Sequence, residues 1–132
     1  MDPRCIRRVI RASSAVWLLV CLEVFAQEPA ATVRILVQSS PLAGFRYHAA
    51  SEVWQELRVG DRLELQREPD NPHDANAVSV CWRGHKLGYL PRRDNAAASW
   101  TLERGQRLSA RISKLAQHPN PARRIEVEVY AE

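Results

Sequence analysis

The run Arg67-Glu68-Pro69-Asp70-Asn71-Pro72-His73-Asp74-Ala75-Asn76-Ala77-Val78 gathers the densest set of chemically capable side chains in the chain. His73 beside Asp74 has the residue types of a general base and the group that orients it. No nucleophile accompanies the pair, and adjacent strand or loop side chains diverge, so hydrolysis is the weakest reading. A recognition loop fits better. Pro69 and Pro72 fix their own φ, remove two backbone donors and push the preceding residues toward extended conformations. Asp70, Asn71 and Asp74 can bond nearby amides in Asx turns, which makes the run a preorganised scaffold. On the plainest reading it is a well-made turn and nothing more.

Other marks of catalysis are missing. The sequence holds no G-x-S-x-G elbow, no H-E-x-x-H and no cysteine pair at zinc spacing. His48, His73, His85 and His118 are scattered, so neither a metal nor a cofactor is expected. No glycine-rich phosphate cradle occurs, and the chain reads as a non-enzyme. A second segment matters more: Gly44-Phe45-Arg46-Tyr47-His48 sets a guanidinium beside an aromatic ring just after a glycine.

Holding these two segments calls for a mainly β framework. Val33 to Val37 starts an extended segment, and Leu42 to His48 follows a Ser39-Ser40-Pro41 break, with Gly44 at a bulge or close approach. Ser51 can cap a short helix through Val53, Trp54 and Leu57, ended by Gly60. From Arg62 to Glu68, Leu63 and Leu65 alternate with polar residues in a half-buried strand. Ala77 to Trp82 and Lys86 to Leu90 flank Arg83-Gly84 as a hairpin that Pro91 ends, with Trp82 and Tyr89 expected to pack the interior. Asp94 can cap a second helix, Asn95 to Arg104, stopped by Gly105. Leu108, Ala110 and Ile112, then Ile125, Val127 and Val129, alternate in two further strands around a Gln117-His118-Pro119-Asn120-Pro121 loop. About six short strands with two small helices predict a closed or partly closed β-barrel.

The 132 residues allow one domain at most, and the first 26 read as an export signal. Arg4, Arg7, Arg8 and Arg11 precede a short apolar run, Ala15 to Leu22, and Val24-Phe25-Ala26 offers cleavage after Ala26. The expected plan is a signal peptide over 1–26, a linker over 27–32 and a domain over 33–132. Export to the periplasm or outside the cell follows; a misassigned start would leave the chain cytoplasmic. No stable membrane span is expected after cleavage. The net charge of +4 shrinks on this plan, because residues 1–26 hold four of the 19 basic and two of the 15 acidic residues. A balance of +2 is too weak to announce nucleic acid by its field alone. With Cys5 and Cys21 in the signal, Cys81 has no intramolecular partner and reads as a small buried hydrophobe.

Taken together, Leu42-Ala43-Gly44-Phe45-Arg46-Tyr47, Gly60-Asp61 with Leu63 and Leu65, the R-E-P-D-N-P-H-D-A-N-A-V run and Leu87-Gly88-Tyr89-Leu90-Pro91 resemble the HIRAN domain over residues 33 to 130. The resemblance implies a small OB/SH3-like β-barrel, found alone in bacteria and fused to SNF2-type fork-remodelling helicases in eukaryotes, where it captures the 3′-hydroxyl end of single-stranded DNA. By motif position, Arg46 and Tyr47 fall where the family has a phosphate contact and a stacking ring. Asn71 and Asp74 fall in the loop that recognises the terminal nucleotide, Asp74 accepting from the 3′-hydroxyl. His73 replaces a second stacking aromatic, commonly tyrosine.

The residues themselves are compatible with that role. Single-strand binders pair cations with exposed rings, each stacked base being worth about 1–3 kcal/mol. Imidazole stacks less well than phenol, but protonated His73 would add charge beside a phosphate, so binding is expected to strengthen below about pH 6.5. Equally, Tyr47 could be a core or rim aromatic, and Arg46 and Asp74 could pair with each other or cap turns. Two functions stay open: a monomeric, non-enzymatic module that binds single-stranded DNA at its 3′ end through Arg46, Tyr47, Asn71, His73 and Asp74, or an exported domain that reuses the fold for another ligand or a protein partner.

Overall fold

The computed structural model describes residues 33–132, which form one compact unit. The expected signal peptide, 1–26, and linker, 27–32, lie outside the described residues. Six strands, β1 (Ile35–Pro41), β2 (Arg62–Arg67), β3 (Val78–Trp82), β4 (His85–Tyr89), β5 (Leu108–Leu115) and β6 (Ile125–Ala131), join in one antiparallel sheet. The order across it is β1-β6-β5-β2-β3-β4. The fold is mainly β, as expected.

The sheet curls because β2 changes partners midway. Arg62 and Leu63 pair with Arg111 and Ala110 of β5, whereas Glu64 to Arg67 pair with Cys81 to Val78 of β3. The curl brings the two outer edges together behind β1. There Ala43 and Tyr89 exchange hydrogen bonds of 2.8 and 2.9 Å in a single isolated bridge. The sheet is therefore OB-like and barrel-shaped without a full closing ladder. Alternation supplies the interior: Leu63 from β2, Ala110 and Ile112 from β5, and Ile125, Val127 and Val129 from β6 are all buried. All five residues of β3 are buried, including the free thiol of Cys81. Between β3 and β4, Arg83 and Gly84 both take positive φ, 45° and 82°, as a two-residue hairpin turn requires.

Three local expectations are corrected. Only one α-helix forms among the described residues, α1 (Ala96–Glu103), which packs against β2 and β5. Residues 51–60, expected to be helical, form successive turns in which the Ala49 carbonyl takes the amides of both Glu52 and Val53. Val53 and Leu57 are buried there without a helix, because the stretch is tied down by Ala49 N to the Lys86 carbonyl at 3.0 Å. Ser39-Ser40-Pro41 is no break: β1 runs through it, and Pro41 sits at the strand end where its missing donor is harmless. Asp94 does not cap α1 either. The N-cap is Asn95, whose side chain is engaged elsewhere.

Candidate functional site

The Pro-containing loop joins β2 to β3 and is rigid for reasons written in its residues. Glu68 N bonds the Ala77 carbonyl at 2.8 Å, closing the base of the loop. Asn71 Oδ1 accepts from His73 N and Asp74 Oδ1 from Asn76 N, each at 2.9 Å, in two Asx turns. Among the described residues no bond uses the Asn71 amide hydrogens, which can donate. Flanking anchors tie the loop to the body. Arg67 Nε donates to Ser99 Oγ of α1 at 3.0 Å, and Lys86 Nζ of β4 donates to Glu68 Oε1 at 2.7 Å. Asn95 Nδ2 donates to Asp74 Oδ2 at 2.7 Å. That bond first, then the Asn76 amide and the nearby Arg92, hold the Asp74 carboxyl below the usual carboxylate range against the cost of burial.

Facing this loop is the segment that follows β1. Gly44, at φ 78°, takes the left-handed conformation that turns the chain into a short 3-10 turn, Phe45–Tyr47. Phe45 is buried, edge-on to Trp54 at 5.8 Å between centroids and under the Arg124 guanidinium at 5.2 Å. Pinning Phe45 swings its neighbours outward. Tyr47 is 85 % exposed, so it is not a core aromatic.

Between the two segments lies a cleft of about 590 Å³, lined by Tyr47, Asn71, His73 and Asp74 together with Gly44, His48, Tyr89 and Arg92. Four of the five residues expected to form a site are thus brought together. Arg46 is not among the lining residues; it borders an adjoining hollow with Asn120 and Pro121, and Gly44 and Tyr47 are common to both. Among the described residues Arg46 and Asp74 form no salt bridge with each other.

Three lining residues were not anticipated. Tyr89, expected inside like Trp82, instead lines the cleft, because its place on the closing bridge leaves its ring at the barrel rim. His48 meets that ring edge-on at 5.2 Å. Burial first, then the Lys86 ammonium, pushes its imidazole below the ordinary range, with Glu68 opposing weakly. Arg92 stands just past Pro91, and a cation directly after a strand-ending proline, next to the loop, was the signal that could have revealed it.

The site carries groups suited to binding. It combines an exposed ring, free amide donors, a carboxylate with spare lone pairs and a guanidinium, all on supported backbone. No trio of His, Cys, Asp or Glu side chains that could hold a metal occurs among the described residues.

Comparison with known proteins agrees with the fold. A protein from Lactobacillus plantarum of known crystal structure is 31% identical, with a TM-score of 0.66 over 75% of this chain and 95% of that one. The HIRAN domain of human HLTF, 18% identical, superposes with a TM-score of 0.54 over 75% of this chain and 80% of its own, and so shares the fold. No relative was found among the curated proteins. The HIRAN domain profile matches residues 35–132, and the chain belongs to the HIRAN domain family.

Proposed function

We propose that the chain is a non-catalytic nucleic-acid-binding module whose cleft receives the 3′-hydroxyl end of single-stranded DNA. The observation that carries this reading is the 85 % exposed ring of Tyr47 facing the braced Pro loop across the cleft. A ring of that size is left in water only at a cost, and a stacked base would cover it for about 1–3 kcal/mol. Asn71 would read an edge of the terminal base through its free amide hydrogens, and His73 would supply a smaller second face. Arg92 on the cleft wall and Arg46 on the adjoining hollow would supply phosphate contacts.

Asp74 provides the discrimination. Each of its carboxylate oxygens already accepts one hydrogen bond, which leaves lone pairs for a terminal hydroxyl. A terminal phosphate would bring like charge against a group held ionised. With about two phosphate contacts, log affinity should fall with log salt at a slope near −1.4.

Fluorescence anisotropy with one short strand, bearing either a free 3′-hydroxyl or a 3′-phosphate, tests the reading. Tighter binding of the hydroxyl form, lost in Asp74→Ala, is expected; equal or absent binding would defeat it. Export of the chain by residues 1–26 remains a proposal of its own, for which a mature protein beginning at Gln27 by mass spectrometry is the expected result.

A further inference from the structure

The cleft continues past Tyr47. Gly44 and Tyr47 are shared with a second hollow of about 150 Å³, bordered by Arg46, Asn120 and Pro121. Ala122 is shared in turn with a third, of about 420 Å³, whose walls include Lys114, His118, Arg123 and Glu126. Together the three adjoin in a furrow from the Pro loop across the Phe45–Tyr47 turn to a second 3-10 turn, Pro121–Arg123, in the β5–β6 connection.

Its far-end backbone is braced by side chains, and Arg46, Lys114 and Arg123 are among its lining residues. Asn120 Oδ1 accepts from Ala122 N at 3.0 Å, and His118 Nδ1 from Asn120 N at 2.9 Å. Arg124 Nε ties the His118 carbonyl at 2.7 Å, so Arg124 serves the loop. Lys114 is paired with Glu126 at 3.5 Å, and a phosphate would have to compete with that carboxylate. Arg46 and Arg123 are exposed and form no salt bridge among the described residues. Arg123 is therefore the most available cation at the far end.

We infer that this furrow carries the strand upstream of the terminal nucleotide, with Arg123 meeting a phosphate beyond the end cleft. The inference rests on the end-binding reading: with the 3′-hydroxyl at Asp74, the strand can leave only in its 5′ direction. A track of several nucleotides suits a fold whose relatives in architecture occupy roughly 4–16.

Anisotropy of the full chain with a thymidine dinucleotide and an eight-residue oligothymidylate, both with free 3′-hydroxyls, separates the two ideas. The longer strand should bind about threefold tighter or more, and Arg123→Ala should remove most of that gain, lower its salt slope by about 0.7 and leave the dinucleotide unchanged. Glu126→Gln, by freeing Lys114, should strengthen the longer strand alone. Equal wild-type affinities for the two lengths, or an Arg123→Ala loss shared by both, would overturn the furrow and leave the end-binding reading standing. Absence of binding to either strand would overturn both.

Discussion

The side-chain amide of Asn95 reaches 2.7 Å to Oδ2 of Asp74, tying the Pro loop to the N-cap of α1 across 21 positions of sequence. Asn95 is buried and gives up capping its own helix to make this bond. A hydrogen bond to a charged group contributes about 1.5–3 kcal/mol. Asn95→Ala should therefore lower the urea midpoint at pH 7 and blunt the preference for a 3′-hydroxyl. Because the Asp74 carboxyl is held low when folded, this stabilisation is present above about pH 4 and is lost as pH falls through the folded value. The gap between the variant and the wild type should narrow as pH falls through that folded value. A preference for the hydroxyl undiminished in Asn95→Ala would show that Asp74 is not aimed by this bond.

Tyr47 separates binding from stability. Its ring touches little of the protein, so Tyr47→Ala should change stability by no more than about 0.5 kcal/mol. Binding to a single strand should weaken by about 1–3 kcal/mol, and Tyr47→Phe should restore most of it, since stacking uses the ring and not the hydroxyl. His73→Tyr should act in the opposite sense, by enlarging the second face. Unaltered affinity in Tyr47→Ala would remove the ring from the site.

Strands β2, β5 and β6 were legible because each shows one buried face: Leu63 with its polar neighbours, Ala110 and Ile112, and Val127 and Val129 all sit where period-two alternation puts them. The Pro loop was legible because proline and Asx chemistry act locally, and the bonds of Asn71 and Asp74 are two residues long. What escaped was set by tertiary contact. Val53, Trp54 and Leu57 have helical spacing, yet they bury their side chains from turns. Tyr89 and His48 join the cleft only because the sheet curls until Ala43 meets β4. Asn95 shows a cap-forming residue spent on a distant carboxylate, which no local pattern announces.

Gly88 is where that curl is most exposed to damage. A Cβ there would fall well inside van der Waals contact distance of the Ala43 carbonyl oxygen and meet Leu42 Cγ at 3.1 Å. Backbone cannot swing aside as a side chain can, so Gly88→Ala should break the Ala43–Tyr89 bridge and cost about 1–3 kcal/mol or more. The cleft should widen with it, so strand binding should fall alongside the thermal midpoint. At Gly84, where open space surrounds the added carbon, alanine should act only through the positive φ. Similar losses at the two positions would mean that the close approach at Gly88 is not what holds the edges together.

His48 gives the fold a pH dependence of definite sign. Burial and the Lys86 ammonium make the folded protein resist protonating it, whereas the unfolded chain protonates at an ordinary value near 6.5. The unfolded state then binds more protons between the folded value and about 6.5, so stability is complete above that pH and declines as pH falls through the interval. His48→Phe keeps a ring against Tyr89 and removes the proton site. Urea midpoints at pH 7.5 and 5.0 should drop further in the wild type than in the variant, since all other histidines are common to both. Parallel drops would show that the proton on His48 is tolerated, and that the Lys86–Glu68 pair beside it, at 2.7 Å, leaves the ring enough water or carboxylate to accept it.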